Sequence, residues 1–157
     1  MTSSQTISRT RASTVSAGSI VSSLLTVQTR GRGFLDLTAE VARFLDEAMA
    51  IEGQATLFIR HTSASLTIQE NADPSVLTDL TTALDRLAPE NAGWSHDTEG
   101  PDDMPAHIKT MLTSTTLHIP VLSGELALGT WQAIYLIEHR ASPHRREIVL
   151  QFVGADG

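Results

Sequence analysis

The 157-residue chain has no cysteine. Disulfides, thiolate zinc sites and cysteine nucleophiles are excluded, and a reducing compartment is compatible with the composition. Positive charge is scarce: 11 lysines and arginines face 18 acids, a formal charge of −7. This argues against broad binding to nucleic acid or to an anionic membrane, but leaves room for a small phosphate pocket. No run approaches the roughly eighteen apolar residues of a membrane span; "SIVSSLLTV" is too short and too polar. A Gly-rich phosphate loop of Walker type and a G-x-S-x-G elbow are both missing. Acids are absent from Met1 to Gly33, which carries Arg9, Arg11, Arg30 and Arg32 among many Ser and Thr. That composition fits a flexible N-terminal extension of a cytosolic protein, residues 1–18, and is also compatible with an organelle transit peptide.

The remaining length, residues 19–157, suits one domain with a single core. "SIVSSLLTVQT" (Ser19 to Thr29) reads as a strand and "RGRG" as a turn. "FLDLTAEVARFLDEAMAI" reads as a helix capped by Asp36 or Thr38 and ended by Gly53. "QATLFIRHTSASLTIQE" is strand-like with a small-residue break at Ser63 to Ser65. "DPSVLTDLTTALDRLAP" is the clearest helix, with Asp73 as cap, Pro74 in the first turn and Pro89 as stop. A short helix is expected from about Pro105, capped by Asp102 or Asp103. Three strands close the chain, "TTLHIPV", "GTWQAIYLIEH" and "REIVLQFV", with a hairpin turn at Ser123–Gly124. No solenoid-type repeat is present. About seven strands and three helices, partly grouped, give an α+β fold with antiparallel pairing.

Three polar constellations stand out. In "RHTSASLTIQENADP", Arg60, His61, Ser63, Ser65, Glu70, Asn71 and Asp73 offer groups for an anion; turn chemistry and capping are the competing reading, and it is favoured for Asp73. In "SHDTEGPDDMPAHIK" (Ser95 to Lys109), His96 and His107 flank Asp97, Glu99, Asp102 and Asp103. Imidazole with carboxylate suits zinc, manganese or iron, and carboxylates alone suit magnesium. The spacing matches no strong zinc signature, and acids at a helix start also complement its dipole. In "GTWQAIYLIEHR", Gln132, Glu138 and Arg140 share a strand face. Glu138 and Arg140 can pair with each other or hold a phosphate. The following "SPHRRE" reads as a solvated basic turn.

"HTSASLTIQENADPSV", "HDTEGPDDMPAHIK" and "GTWQAIYLIEHR" together resemble the YjbQ family of secondary thiamine-phosphate synthase-like proteins, over about Ser19 to Gly154. The resemblance implies a two-sheet β-sandwich with two main helices and one short one, assembled as a homotrimer. It also implies thiamine-phosphate synthase activity, as a main or a side reaction, joining hydroxymethylpyrimidine diphosphate to thiazole phosphate with release of diphosphate. Carried over by motif, His96, His107, His61 and Glu138 are the expected catalytic residues. Ser63, Ser65, Asn71, Gln132 and Arg140 are expected to bind substrate or phosphate. A divalent metal, Mg or Zn, is expected at His96, His107, Asp97, Glu99 and Asp103, because an acidic pocket without one repels phosphate.

Three functions stay open on these grounds: the synthase-like transferase, a metal-dependent hydrolase of another substrate, and a non-catalytic trimeric protein that binds a metal or small molecule. No nucleic-acid or membrane partner is expected, and the expected location is cytoplasmic.

Overall fold

A computed structural model describes residues 5–157. The elements run β1 (Ser19–Gln28), β2 (Gly33–Asp36), α1 (Thr38–Glu47), β3 (Ala50–Ile59), β4 (Ala64–Glu70), α2 (Pro74–Leu87), α3 (Asp103–Leu112), β5 (Thr116–Leu122), β6 (Glu125–Leu126), β7 (Gln132–Glu138) and β8 (Arg145–Asp156). They form a five-stranded sheet ordered β1-β8-β3-β5-β6 and a three-stranded sheet ordered β2-β7-β4. Every strand pair is antiparallel. The α+β, two-sheet expectation holds. Residues 5–18 carry no regular secondary structure and are exposed; the first four residues of the expected extension lie outside the described residues.

Alternation along the strands builds the core. Leu57 and Ile59 of β3, Ile119 and Val121 of β5, and Ile148, Leu150 and Phe152 of β8 point inward from the large sheet. Leu66, Ile134 and Leu136 meet them from the small one, and Val41, Phe44 and Leu45 of α1 close one end. Each fully buried aliphatic chain of this kind contributes about 1.5–3 kcal/mol. β7, at the centre of its sheet, is buried on both faces from Ala133 to Glu138.

Three expectations need correction. The first helix is shorter than its apolar spacing suggests. Phe34 to Asp36 pair with Tyr135 to Ile137 as an edge strand, and Asp36 Oδ1 accepts the Thr38 N–H at 2.8 Å. Met49, in the left-handed region at φ 51°, turns the chain out of the helix. Gly53 ends no helix: it lies in β3 opposite Gly154, where a Cβ would stand 2.2 Å from the Val153 carbonyl oxygen. The run around Arg60 is two strands that go to different sheets. α3 begins at Asp103 with no side-chain cap, because both expected capping acids are engaged elsewhere.

Two local readings hold. Asp73 Oδ1 accepts the Ser75 N–H at 2.9 Å ahead of Pro74. Ser123 and Gly124, at φ 52° and 79°, make the hairpin turn between β5 and β6. However, α2 buries none of its residues; its Val76, Leu77, Leu80 and Leu84 stripe is only half covered.

Candidate functional site

The loop before α3 and the first turn of α3 bring three expected ligands together. Asp103 and His107, four apart, share one helix face. His96 descends from the loop, which turns at Gly100 in the left-handed region (φ 101°). Asp103 Oδ2 lies 2.6 Å from His96 Nε2 and 3.1 Å from His107 Nε2, and the two imidazole centroids are 5.4 Å apart. Glu99 reaches His96 at 3.2 Å. Thr62 supports the far side of the His107 ring: its carbonyl oxygen is 2.8 Å from Nδ1. That carbonyl can only accept, so Nδ1 carries a proton and Nε2 is the nitrogen turned to Asp103.

Charge around the cluster is organised by Arg140. Its Nη1 donates to Asp103 Oδ1 at 2.6 Å, its Nε to Asp102 Oδ2 at 3.2 Å and its Nη2 to the Glu99 carbonyl at 2.8 Å. Asp102 Oδ2 also accepts the Ala141 N–H at 2.8 Å. Burial pushes the Asp103 carboxyl up, but hydrogen bonding to His96 and the Arg140 charge outweigh it and hold it below the usual carboxylate range. The hydrogen bond to Asp103 raises His96 above the ordinary imidazole value.

The donor set fits a divalent metal. Ligand atoms of His96, Asp103 and His107 all lie within 4.8 Å of one another. A four-coordinate ion with bonds of about 2.0–2.1 Å places its ligand atoms roughly 3.3 Å apart, and the two separations at Asp103 Oδ2, 2.6 and 3.1 Å, lie within a fraction of an ångström of that. Two imidazoles, one carboxylate and an outer carbonyl and guanidinium make a site with coordination positions to spare. Open depressions flank it: a groove of about 510 Å³ beside His107, Thr62 and Thr113, and another of about 330 Å³ beside His96, Asp97 and Trp94. In the first groove, Thr110 Oγ1 is buried without a hydrogen-bond partner among the described residues.

The other expected site residues go elsewhere. Asp97 is exposed and outside the converging set. Arg140 spends three of its five N–H donors on Asp102, Asp103 and the Glu99 carbonyl, next to the cluster. Glu138 does not pair with the Arg140 guanidinium or orient a cluster histidine. It is buried against Arg146, whose Nε and Nη2 reach its two oxygens at 2.8 and 2.5 Å, and it accepts from Thr29 Oγ1 at 2.7 Å. The "SPHRRE" segment is thus not all solvated turn, since Arg146 points inward on β8. Ser63 Oγ accepts from Arg146 Nη2 at 3.0 Å. His61 Nε2 accepts the Glu147 N–H at 2.8 Å, and burial lowers its pKa. Gln132 Oε1 accepts the Gly129 N–H, while Asn71 is exposed and its N–H donates to the Trp131 carbonyl.

Ser65 is buried and lies 2.8 Å from Nε2 of His139, with the Thr113 hydroxyl 2.6 Å away. Burial pushes His139 down to about 3, so this imidazole is neutral. The sequence does not single out His139 and shows Arg146 only within a solvated basic turn; the signal for either is its place at a strand end of alternating apolar residues. Lys109, the last residue of the "SHDTEGPDDMPAHIK" stretch, is buried and donates to Asp85 of α2 at 2.7 Å.

Comparison with known proteins gives a consistent result. The family described as UPF0047 protein YjbQ-like matches residues 23–155. A UPF0047 protein of Synechocystis sp. is 46% identical over 132 residues, covering 83% of this chain and 90% of its own length. The UPF0047 protein YjbQ of Salmonella typhimurium is 42% identical over 131 residues, covering 83% and 95%. A crystal structure of a YjbQ/UPF0047 protein from Clostridium acetobutylicum, ortholog of Bacillus subtilis YugU, superposes with a TM-score of 0.74 at 35% identity, covering 84% of this chain and 98% of that one. A hypothetical protein from Aeropyrum pernix superposes at 0.79 with 27% identity, covering 86% and 99%.

Proposed function

The chain belongs to the YjbQ-like UPF0047 family, and from that membership and its site geometry we propose a metal-assisted enzyme acting on a phosphate-bearing small molecule. Formation of thiamine phosphate is the reaction that the sequence resemblance indicates, as a main or a side activity. The observation that carries the reading is the convergence of His96, Asp103 and His107 on one point between two open depressions. His96, Asp103 and His107 would hold the ion; the Thr62 carbonyl fixes the His107 tautomer, and Arg140 fixes Asp103. A bound Mg²⁺ or Zn²⁺ would supply Lewis-acid charge for a diphosphate leaving group. The surrounding acids otherwise repel that group.

A homotrimer belongs to the same reading. The half-covered stripe of α2 and the exposed Met111 and Leu112 of α3 support a partner copy there. No helix among the described residues is long and apolar enough to cross a membrane, and the proposed location is cytoplasmic.

Elemental analysis of tag-free protein tests the site, alongside turnover of hydroxymethylpyrimidine diphosphate with thiazole phosphate. The expected result is a stoichiometric metal, lost together with turnover in His107→Ala while the circular dichroism is unchanged. His107→Ala with full turnover, or wild type that takes up neither Zn²⁺ nor Mg²⁺, refutes it. The open groove of about 510 Å³ beside His107 favours one second reading, hydrolysis of another substrate. A phosphatase and esterase panel run with and without chelator separates the two.

A further inference from the structure

On the other side of α3 from His107, a second cavity of about 120 Å³ lies between β2, α2, α3 and the end of β7. Its lining carries two cations, Arg32 from the turn before β2 and Lys109 from α3, beside the neutral imidazole of His139 and the Thr81 hydroxyl. Glu138 also borders it, but both its oxygens are taken by Arg146, Thr29 and the Arg140 N–H. Phe34, Leu84 and Ile137 supply apolar walls.

The charge balance is unusual. Lys109 Nζ and Arg32 Nη2 both bond the same oxygen of Asp85, Oδ1. Two positive charges therefore meet one negative charge, leaving an excess of one. Among the described residues Lys109 Nζ has no other acceptor, although its side chain is only 5% exposed and an ammonium has three donors. A buried cation with spare donors is costly unless something else satisfies it. Asp85 itself is half-exposed on α2, a helix that buries none of its own residues. It resembles a replaceable counterion at the mouth of the cavity rather than a fixed part of the core.

We propose that this cavity binds one phosphoryl group, with Lys109 and Arg32 as its cations and Asp85 as the internal anion that the ligand displaces. The volume suits a single tetrahedral oxyanion and is well below the several hundred cubic ångströms of a whole-ligand pocket. The Arg32 fork and the Lys109 point charge are the usual phosphate-binding pair. The proposal deepens and rests on the phosphate-substrate reading, since Arg140 is engaged with Asp102, Asp103 and Glu99, yet the pocket itself does not require a metal at His96 and His107. The Thr113–Ser65–His139 hydrogen-bond chain joins the two regions, because Thr113 lines the His107 groove and His139 lines this cavity.

Titration of the full chain with inorganic phosphate, followed by calorimetry and amide chemical shifts at constant ionic strength, tests the assignment. It is run with and without EDTA. Saturable binding is expected in both conditions, with shifts centred on Arg32, Lys109 and His139. Asp85→Asn should bind about tenfold tighter, as loss of one competing nearby charge implies. Lys109→Met and Arg32→Gln should each lose saturable binding; the second keeps the test valid if the first fails to fold. No saturation in wild type and in Asp85→Asn overturns the proposal, as does undiminished binding in Arg32→Gln. Acetate binding as tightly as phosphate overturns the phosphoryl assignment. Phosphate binding that persists in EDTA while turnover is absent separates this pocket from the metal-centre reading.

Discussion

Glu138 and Arg146 offer the sharpest test of how this fold is held. They are 1% and 4% exposed and share two hydrogen bonds, while Thr29 and Ser63 satisfy further atoms of the pair. Coulomb attraction at such separations is about 5 kcal/mol at an effective dielectric of 20, but desolvating both ions offsets much of it. The pair's net contribution is therefore small, whereas removing one member strands the other. Arg146→Met and Glu138→Leu should each cost about 3–5 kcal/mol in urea unfolding at neutral pH. The double variant should cost less than either. The sign of the pH effect is fixed too. Burial pushes Glu138 up, but the bonds from Arg146 and Thr29 prevail and its pKa falls below the ordinary 4.5. Its contribution is thus present above that value and disappears as pH falls through the lower, folded value. Single variants within about 1 kcal/mol of wild type, or a double variant equal to the sum of the singles, would refute this account.

His139 sets a second pH window. Its folded pKa of about 3 lies below the ordinary 6.5, so the unfolded chain binds the proton first. Stability should fall as pH drops from the ordinary value toward the folded one, by up to about 1.4 kcal/mol per unit. His139→Gln should flatten that slope in pH-dependent urea melts; an unchanged slope assigns it to other groups. Gly53→Ala forces a Cβ onto the Val153 carbonyl oxygen and the Gly154 Cα. It should cost about 3 kcal/mol or more in thermal unfolding, since backbone cannot yield as a side chain does. Arg140→Lys removes the fork that holds Asp102 and Asp103. Metal affinity, read by competition with a chromophoric chelator, should weaken about 10–100-fold, and unchanged affinity would release Arg140 from its positioning role.

The amino-acid sequence by itself determined what depends on neighbours along the chain. Asp73 followed by Pro74 starts α2, because an acceptor and a fixed φ act within one turn. Ser123–Gly124 makes a hairpin turn because both positions take the left-handed conformation. The pairing of Asp103 with His107 was within reach for the same reason, since four residues are one helical turn. Tertiary structure decided the rest. Phe34 to Asp36 open a segment that reads as helix but become a strand, because β7 offers an open edge there. Glu138 sits two residues from Arg140 yet gives its carboxylate to Arg146, eight residues away on the next strand, because β8 turns that guanidinium inward. Lys109 and Asp85 meet only because α2 and α3 fold against the same end of β7. For Glu138 the competing guanidiniums of Arg140 and Arg146 are equally charged and equally available in the sequence. Burial selects among them, since only a pair that satisfies its hydrogen bonds out of water can stay there.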